Sequence, residues 1–320
     1  MRGAARCEAL HALCLLKATT LQDQAEEAQR IINEEYGLLE EQNWLQPLHH
    51  FLYVPQAICV TYANAYGRFD VADNLCGYSF AATDASAAPA PLPPAAEAAL
   101  FAVGNGIPPT GGVNLINNTI DGGREDRAST PDQNLAGALR LHRLIIGRAP
   151  QTGQQLSDEE QRLHRRIRIG IDQVRATGTL RGKPALIVNG RADAVVAPNH
   201  ASRAYYGRNQ SVEGSESKLR YYEVTNAHHL DAWNGLFPLL AERFVPLHFY
   251  LVRALDLMYD HLRGGQPLPP SQVIHARPRG RTASGEVPPV EIGTHVPLIA
   301  EEPQPEARIT FADNRLMIPD

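Results

Sequence analysis

Cysteine is scarce. Four residues (Cys7, Cys14, Cys59 and Cys76) in a chain of 320 are too few to build a disulfide framework, and no C-x-x-C pair suggests zinc or redox work. Cys7 and Cys14 stand at i, i+7 in a helical stretch, the spacing of a buried face. Cys59 and Cys76 leave one disulfide open. An excess of positive charge is also missing. The net charge is −5, and the arginines alternate with Glu and Asp, so no basic face drives nucleic-acid binding. No apolar run approaches the ~20 residues that span a bilayer. No H-E-x-x-H or comparable spacing gathers three metal ligands. The glycines of GNGIPPTGG (104–112) open no helix in the G-x-G-x-x-G arrangement, which argues against a nucleotide loop.

What is present is globular. The chain is 43% hydrophobic and 20% charged, enough to bury a sizeable core. Its 25 glycines and 24 prolines make it loop-rich without reaching the low-complexity range. The length predicts two domains, or one large α/β domain with an insertion. Two arginines and Leu15–Leu16 faintly echo a signal peptide, but Glu8 and His11 interrupt the run and no A-x-A site follows. The start therefore reads as the inside of an amphipathic helix, and the chain is expected to begin within something larger.

Residues 4–45 read as helical, with Thr20 and Asp23 starting a second segment. The stretch 47–66 is aromatic and apolar without a clean period, 83–97 is an Ala/Pro-rich excursion, and 104–131 is turn chemistry throughout. A helix over 132–146 would bury Leu135, Leu139, His142 and Ile146. A capping box at Ser157–Glu160 opens another, with Leu163, Ile167, Ile171 and Val174 inward, Gly178 at its end, and Arg162, Arg165, Arg166 and Arg168 on a solvated face. Lys183–Gly190 and Leu219–Thr225 read as buried parallel strands around a helix opened by Pro198. Residues 231–262 read as helices that restart at Pro238 and Pro246. Beyond them the prolines predict extended coil, since proline neither donates to a ladder nor continues a helix.

Strand–loop–Asp193, helix, strand–loop–His229 is the ending of an α/β-hydrolase sheet, where acid and base project from the carboxyl ends of the last strands. A base must be held in one tautomer by a buried carboxylate, and the spacing leaves room for one helix and one strand between the two. The pattern fits equally a turn aspartate and a helix-entry histidine. Among the other candidates, His228 adjoins His229, Asp231 is placed to cap the next helix, His200 lies in the intervening helix, and His49–His50 lack a matching acid. A nucleophile elbow needs G-x-S-x-G after a buried strand. The nearest approach is Gly77-Tyr-Ser79-Phe-Ala81, whose upstream residues are too polar for a central strand, so Ser79 reads more simply as a loop serine.

Four segments carry a resemblance: VTYANAYGRFDVADNLCGYSFAA (60–82), DQNLAGALRL (132–141), PALIVNGRADAVVAPNHASRAYYG (184–207) and YYEVTNAHHLDAWN (221–234). They resemble the C-terminal half of bacterial D-(−)-3-hydroxybutyrate oligomer hydrolases. The resemblance implies ester hydrolysis of 3-hydroxybutyrate dimers and oligomers, an extracellular location and no cofactor. It also implies a nucleophilic serine and oxyanion hole in an N-terminal half that these residues do not match. Asp193 and His229 then take the acid and base positions, while His228 stands where the family pattern carries a polar amide, which leaves both imidazoles open as the base. The expected architecture is a partial α/β-hydrolase-type parallel sheet: residues 1–150 as a helical, loop-rich lid, 151–265 as the last strands and helices of the core, and 266–320 as a Pro-rich tail. Phe51, Tyr53, Tyr62 and Tyr66 suit a lid over a small ester and suit a core equally. The expected partner is a small ester, with no nucleic acid and no membrane.

Overall fold

The computed structural model describes residues 2–51, 54–101, 113–149 and 153–320. The chain forms two compact units, Met1–Ile31 with Leu48–Arg175, and Ile32–Pro47 with Ala176–Asp320. The division falls at 175 rather than at the expected 150, and the second unit recruits a short upstream segment that no sequence signal marks.

The first unit holds α1 (Arg2–Ala12), α2 (Leu21–Arg30), most of α3 (Gln46–Phe51), α4 (Val54–Gly67), β1 (Tyr78–Ala81), α5 (Pro94–Phe101), β2 (Asn114–Asn117), β3 (Arg124–Glu125), α6 (Pro131–Ile146) and α7 (Asp158–Gln173). Local chemistry starts the helices as expected: Thr20 Oγ1 accepts from Asp23 N, and Ser157 Oγ from Glu160 N. The core gathers Val60, Ala63, Leu75, Tyr78, Leu115, Leu141, Leu144 and Ile167.

Several expectations are corrected here. Residues 78–81 and 114–125, read as loop and turn, pair as an antiparallel sheet in the order β1-β2-β3. Their polar residues hid it, because their side chains bond one another and nearby amides: Asn117 Oδ1 accepts from Thr119 N, and Asn118 Nδ2 donates to Ser79 Oγ. α6 buries Asn134, Leu135, Gly137, Leu141 and Leu144, so Leu135 is inward as expected while His142 and Ile146 are exposed. The stripe departs from the expected one because Gly137 and the hydrogen-bonded Asn134 fill two inward positions. Val174 is exposed, and α7 ends before Gly178. All four cysteines are free thiols, so Cys59 and Cys76 do not pair. Phe51 and Tyr62 are exposed, and Tyr62 meets Tyr66 with ring centroids 5.6 Å apart. Tyr53 and residues 104–112 lie outside the described residues. Among those described, no helix is long and apolar enough to cross a membrane.

The second unit is α/β. Its strands β4 (Ala185–Gly190), β5 (Leu219–Val224) and β6 (Gln272–Ile274) form a parallel sheet in the order β4-β5-β6. Helices α8 (Ser202–Glu213), α9 (Asp231–Leu236), α10 (Pro238–Arg243) and α11 (Leu247–Gly264) complete it, with a hairpin of β7 (Thr310–Ala312) and β8 (Arg315–Met317). Side chains alternate across β5: Tyr222 and Val224 enter a core with Tyr250 of α11, while Leu219 and Tyr221 enter another with Tyr206 of α8. Both faces are covered, as a parallel sheet requires. The Pro-rich tail was expected to be extended coil with little regular structure, and it is mostly coil, its regular structure being β6, the β7–β8 hairpin and one turn of 3₁₀ helix. β6 forms because Ser271–Ala276 is a proline-free window between Pro270 and Pro278 whose amides are available to the ladder.

Candidate active site

β4 ends at Gly190 and the chain turns at once, Asp193 N donating to Gly190 O at 3.1 Å. The Asp193 side chain is 3% exposed, and every lone-pair direction of its carboxylate is used. Oδ1 accepts from Val195 N at 2.9 Å and Val196 N at 2.7 Å. Oδ2 accepts from Asn189 Nδ2 at 3.3 Å and meets His229 Nδ1 at 3.0 Å.

The histidine loop follows β5 and is tied to the aspartate loop by main chain, Arg191 N to Val224 O (2.8 Å) and Ala192 N to Ala227 O (3.0 Å). This approach needs a glycine at the strand end: a Cβ on Gly190 would lie 2.3 Å from Ala227 O. Gly190→Ala is therefore expected to destabilise the chain by about 1–3 kcal/mol in urea melts and to part the two loops. A variant as stable as the parent would contradict this close packing. On the other side, Val245 N donates to Asn226 O at 2.8 Å, and Asn226 Nδ2 to Ala276 O at 2.8 Å.

The geometry separates the two imidazoles. His228 is fully buried against the Phe244 ring, 4.8 Å between centroids. Its Nδ1 accepts from Leu230 N at 3.3 Å, so its proton sits on Nε2 and is donated to Asn234 Oδ1 at 2.9 Å. Burial pulls its pKa down, and it stays neutral and spoken for. The His229 side chain is 39% exposed. Facing the Asp193 carboxylate, its Nδ1 carries the proton, which leaves the lone pair on Nε2. The hydrogen bond to Asp193 raises the His229 pKa against the opposing effect of burial. The pair sits at the carboxyl edge of β4 and β5, and it can hold one tautomer and accept a proton at Nε2.

The remaining candidates fall elsewhere. Asp231 does not cap the helix it begins; its carboxylate accepts from Leu247 N (2.9 Å) and His248 N (2.6 Å) and so caps α11. His200 Nε2 bonds Tyr36 O at 2.6 Å. His49 is buried in α3 of the first unit. Ser79 is not a loop serine: it lies in β1, where its Oγ accepts from Asn118 Nδ2 at 2.9 Å. No elbow helix follows it. Among the described residues, no group of three His, Cys, Asp or Glu side chains gathers to hold a metal ion.

Sequence reasoning missed the groups behind Asp193. Gln42, from the recruited upstream segment, is fully buried; its Oε1 accepts from Leu39 N (2.7 Å) and its Nε2 donates to Asp193 O at 2.5 Å. Glu223, fully buried in β5, meets Arg191 Nε at 2.6 Å, Arg203 through two nitrogens at 2.6 and 2.8 Å, and the Tyr221 hydroxyl at 2.6 Å. A glutamate inside the run YYEV was the available signal, since a buried strand carries a charge only when it is paired.

The 3HB-oligomer hydrolase family model matches residues 1–320. The chain belongs to that family. Among the curated members, D-(−)-3-hydroxybutyrate oligomer hydrolases, that of Paracidovorax citrulli is 44% identical over 327 residues, 99% of this chain and 44% of the relative. That of a Polaromonas species is 42% identical over 334 residues, covering 98% and 44%. One from Ralstonia pickettii is 44% identical over 291 residues, covering 89% and 37%. This family member thus spans less than half the length of the curated relatives it matches. No solved structure matches the chain.

Proposed function

We propose that this chain supplies the acid and base of a Ser-His-Asp ester hydrolase acting on 3-hydroxybutyrate oligomers, within an α/β-hydrolase-type sheet. The observation that carries the reading is the 3.0 Å contact of His229 Nδ1 with the buried Asp193 carboxylate, on an imidazole side chain that is 39% exposed. The substrate class follows from the kinship with hydrolases named for these oligomers. The nucleophilic serine is placed outside these 320 residues, because Ser79 is bonded to an asparagine in an antiparallel strand.

In this reading the serine oxygen attacks the ester carbonyl while His229 Nε2 takes its proton. The acyl–oxygen bond then breaks, and the same proton passes to the departing hydroxyl of a 3-hydroxybutyrate unit. Water repeats the sequence on the acyl-enzyme, with Asp193 holding the ring throughout. The chemistry draws on side chains alone and calls for no cofactor. The lid role of residues 1–150 and the extracellular location belong to the same proposal.

The test is a chimera in which these 320 residues replace the matching part of the Paracidovorax citrulli relative. The chimera is expected to hydrolyse 3-hydroxybutyrate dimer, and the 320-residue chain alone is not. Hydrolysis by the isolated chain that Ser79→Ala abolishes would overturn the assignment and make Ser79 the nucleophile.

A further inference from the structure

We infer that Asn189 is a positioning residue for the acid–base pair: its side-chain amide aims Asp193 Oδ2 at His229, and Ser202 holds that amide in the required orientation. The inference rests on the acid–base reading of Asp193 and His229 and adds what keeps them aligned.

The argument starts from donors and acceptors. An ionised carboxylate only accepts. Oδ1 of Asp193 is committed to the amides of Val195 and Val196, which anchor one end of the group to its own turn. Oδ2 is the oxygen that meets His229, and Asn189 Nδ2 is its second partner, at 3.3 Å. With the amide turned the other way, Asn189 would set its carbonyl oxygen against the carboxylate.

What holds the turn is Ser202, the first residue of α8, whose hydroxyl lies 2.5 Å from Asn189 Oδ1 and 3.1 Å from the Tyr221 hydroxyl. Tyr221 gives its own proton to Glu223, which as a carboxylate can only accept, at 2.6 Å. Because Asp193 can only accept, the amide turns its NH₂ toward it, and Asn189 Oδ1 takes the Ser202 proton at the shorter of the two contacts, which holds the amide in that orientation. Asn189 and Ser202 are buried, so water does not compete for these bonds and losing one leaves its partner unsatisfied. The charged group that acts on the His229 ring is Asp193; His228 beside it is buried, and its ring is bonded elsewhere.

The test reads the imidazole signals of the 320-residue chain by NMR, with His229→Gln assigning the ring. In the parent, His229 is expected to titrate above its ordinary 6.5 and to show a low-field Nδ1–H resonance. Asn189→Ala is expected to lower that pKa by about half a pH unit or more and to remove the resonance. Ser202→Ala, which deletes only a hydroxyl, is expected to act in the same direction with a smaller shift, and it carries the test if Asn189→Ala does not fold. Retention of both the raised pKa and the resonance in a folded Asn189→Ala or Ser202→Ala chain would overturn the inference. Asp193→Asn separates the two levels: if it too leaves His229 unchanged, the acid–base pairing itself fails and the inference falls with it.

Discussion

Replacing His229 by alanine in the chimeric hydrolase is expected to lower kcat on 3-hydroxybutyrate dimer by about 10⁶-fold, and Asp193→Asn by about 10⁴-fold. In the proposed mechanism the first variant removes the group that accepts the serine proton. The second keeps the ring but no longer rewards the Nδ1–H tautomer, so the lone pair is lost from Nε2. KM should change little, because neither group grips the ester before attack. His228→Gln is the control: His228 spends its ring nitrogens on Leu230 N and on Asn234 of α9, so the rate should stay within about tenfold of the parent. Steady-state rates on the dimer decide, and a His229→Ala chimera within tenfold of the parent would remove His229 from the chemistry. The pH profile supplies a second reading. The proposed mechanism requires neutral His229, whose pKa is raised above 6.5 by its bond to Asp193, so the acid limb is expected above pH 6.5 and to move down in Asp193→Asn. The same pairing favours the folded state below the unfolded pKa, a contribution lost as pH rises through the folded value.

The second large effect concerns stability. Glu223→Gln is expected to cost about 3–5 kcal/mol in urea melts of the 320-residue chain, because it leaves two guanidinium groups inside the fold facing a neutral amide. Arg191 and Arg203 both bond Glu223, and the Arg191 side chain is 5% exposed. Burial raises the Glu223 pKa, but the hydrogen bonds and charge of Arg203, the charge of Arg191 and the Tyr221 hydroxyl outweigh it and hold the group below its usual 4.5. A carboxylate depressed in the folded state contributes stability that is complete above the unfolded value and is lost as pH falls through the folded one. The parent should therefore lose stability below pH 4.5 more steeply than Glu223→Gln. Equal midpoints for the two chains at pH 7 would show that the cluster adds nothing net.

Part of the candidate site was legible in the residue order. The runs ALIVNG (185–190) and LRYYEV (219–224) announce parallel strands, and the 36-position separation of Asp193 and His229 leaves room for the helix and strand found there. Thr20, Ser157 and Pro238 start helices through groups within three residues of themselves, so local chemistry was sufficient. These features, together with the kinship, follow from the sequence alone.

Other assignments needed the tertiary structure, because the deciding partner lies far along the chain. Asp231 could cap the helix it begins, yet its carboxylate serves amides sixteen and seventeen residues on, where the entry to α11 packs. His228 and His229 are the same residue type side by side; only the direction of each side chain at the strand exit buries one and hands the other to Asp193. β6 is a short run among prolines that becomes a strand because β5 offers it an open ladder. Gln42 lies 151 residues from the carbonyl it bonds. Hydrogen bonds of that reach are selected by packing: burial removes water as the competing partner, and whichever polar groups the fold then brings together must satisfy one another.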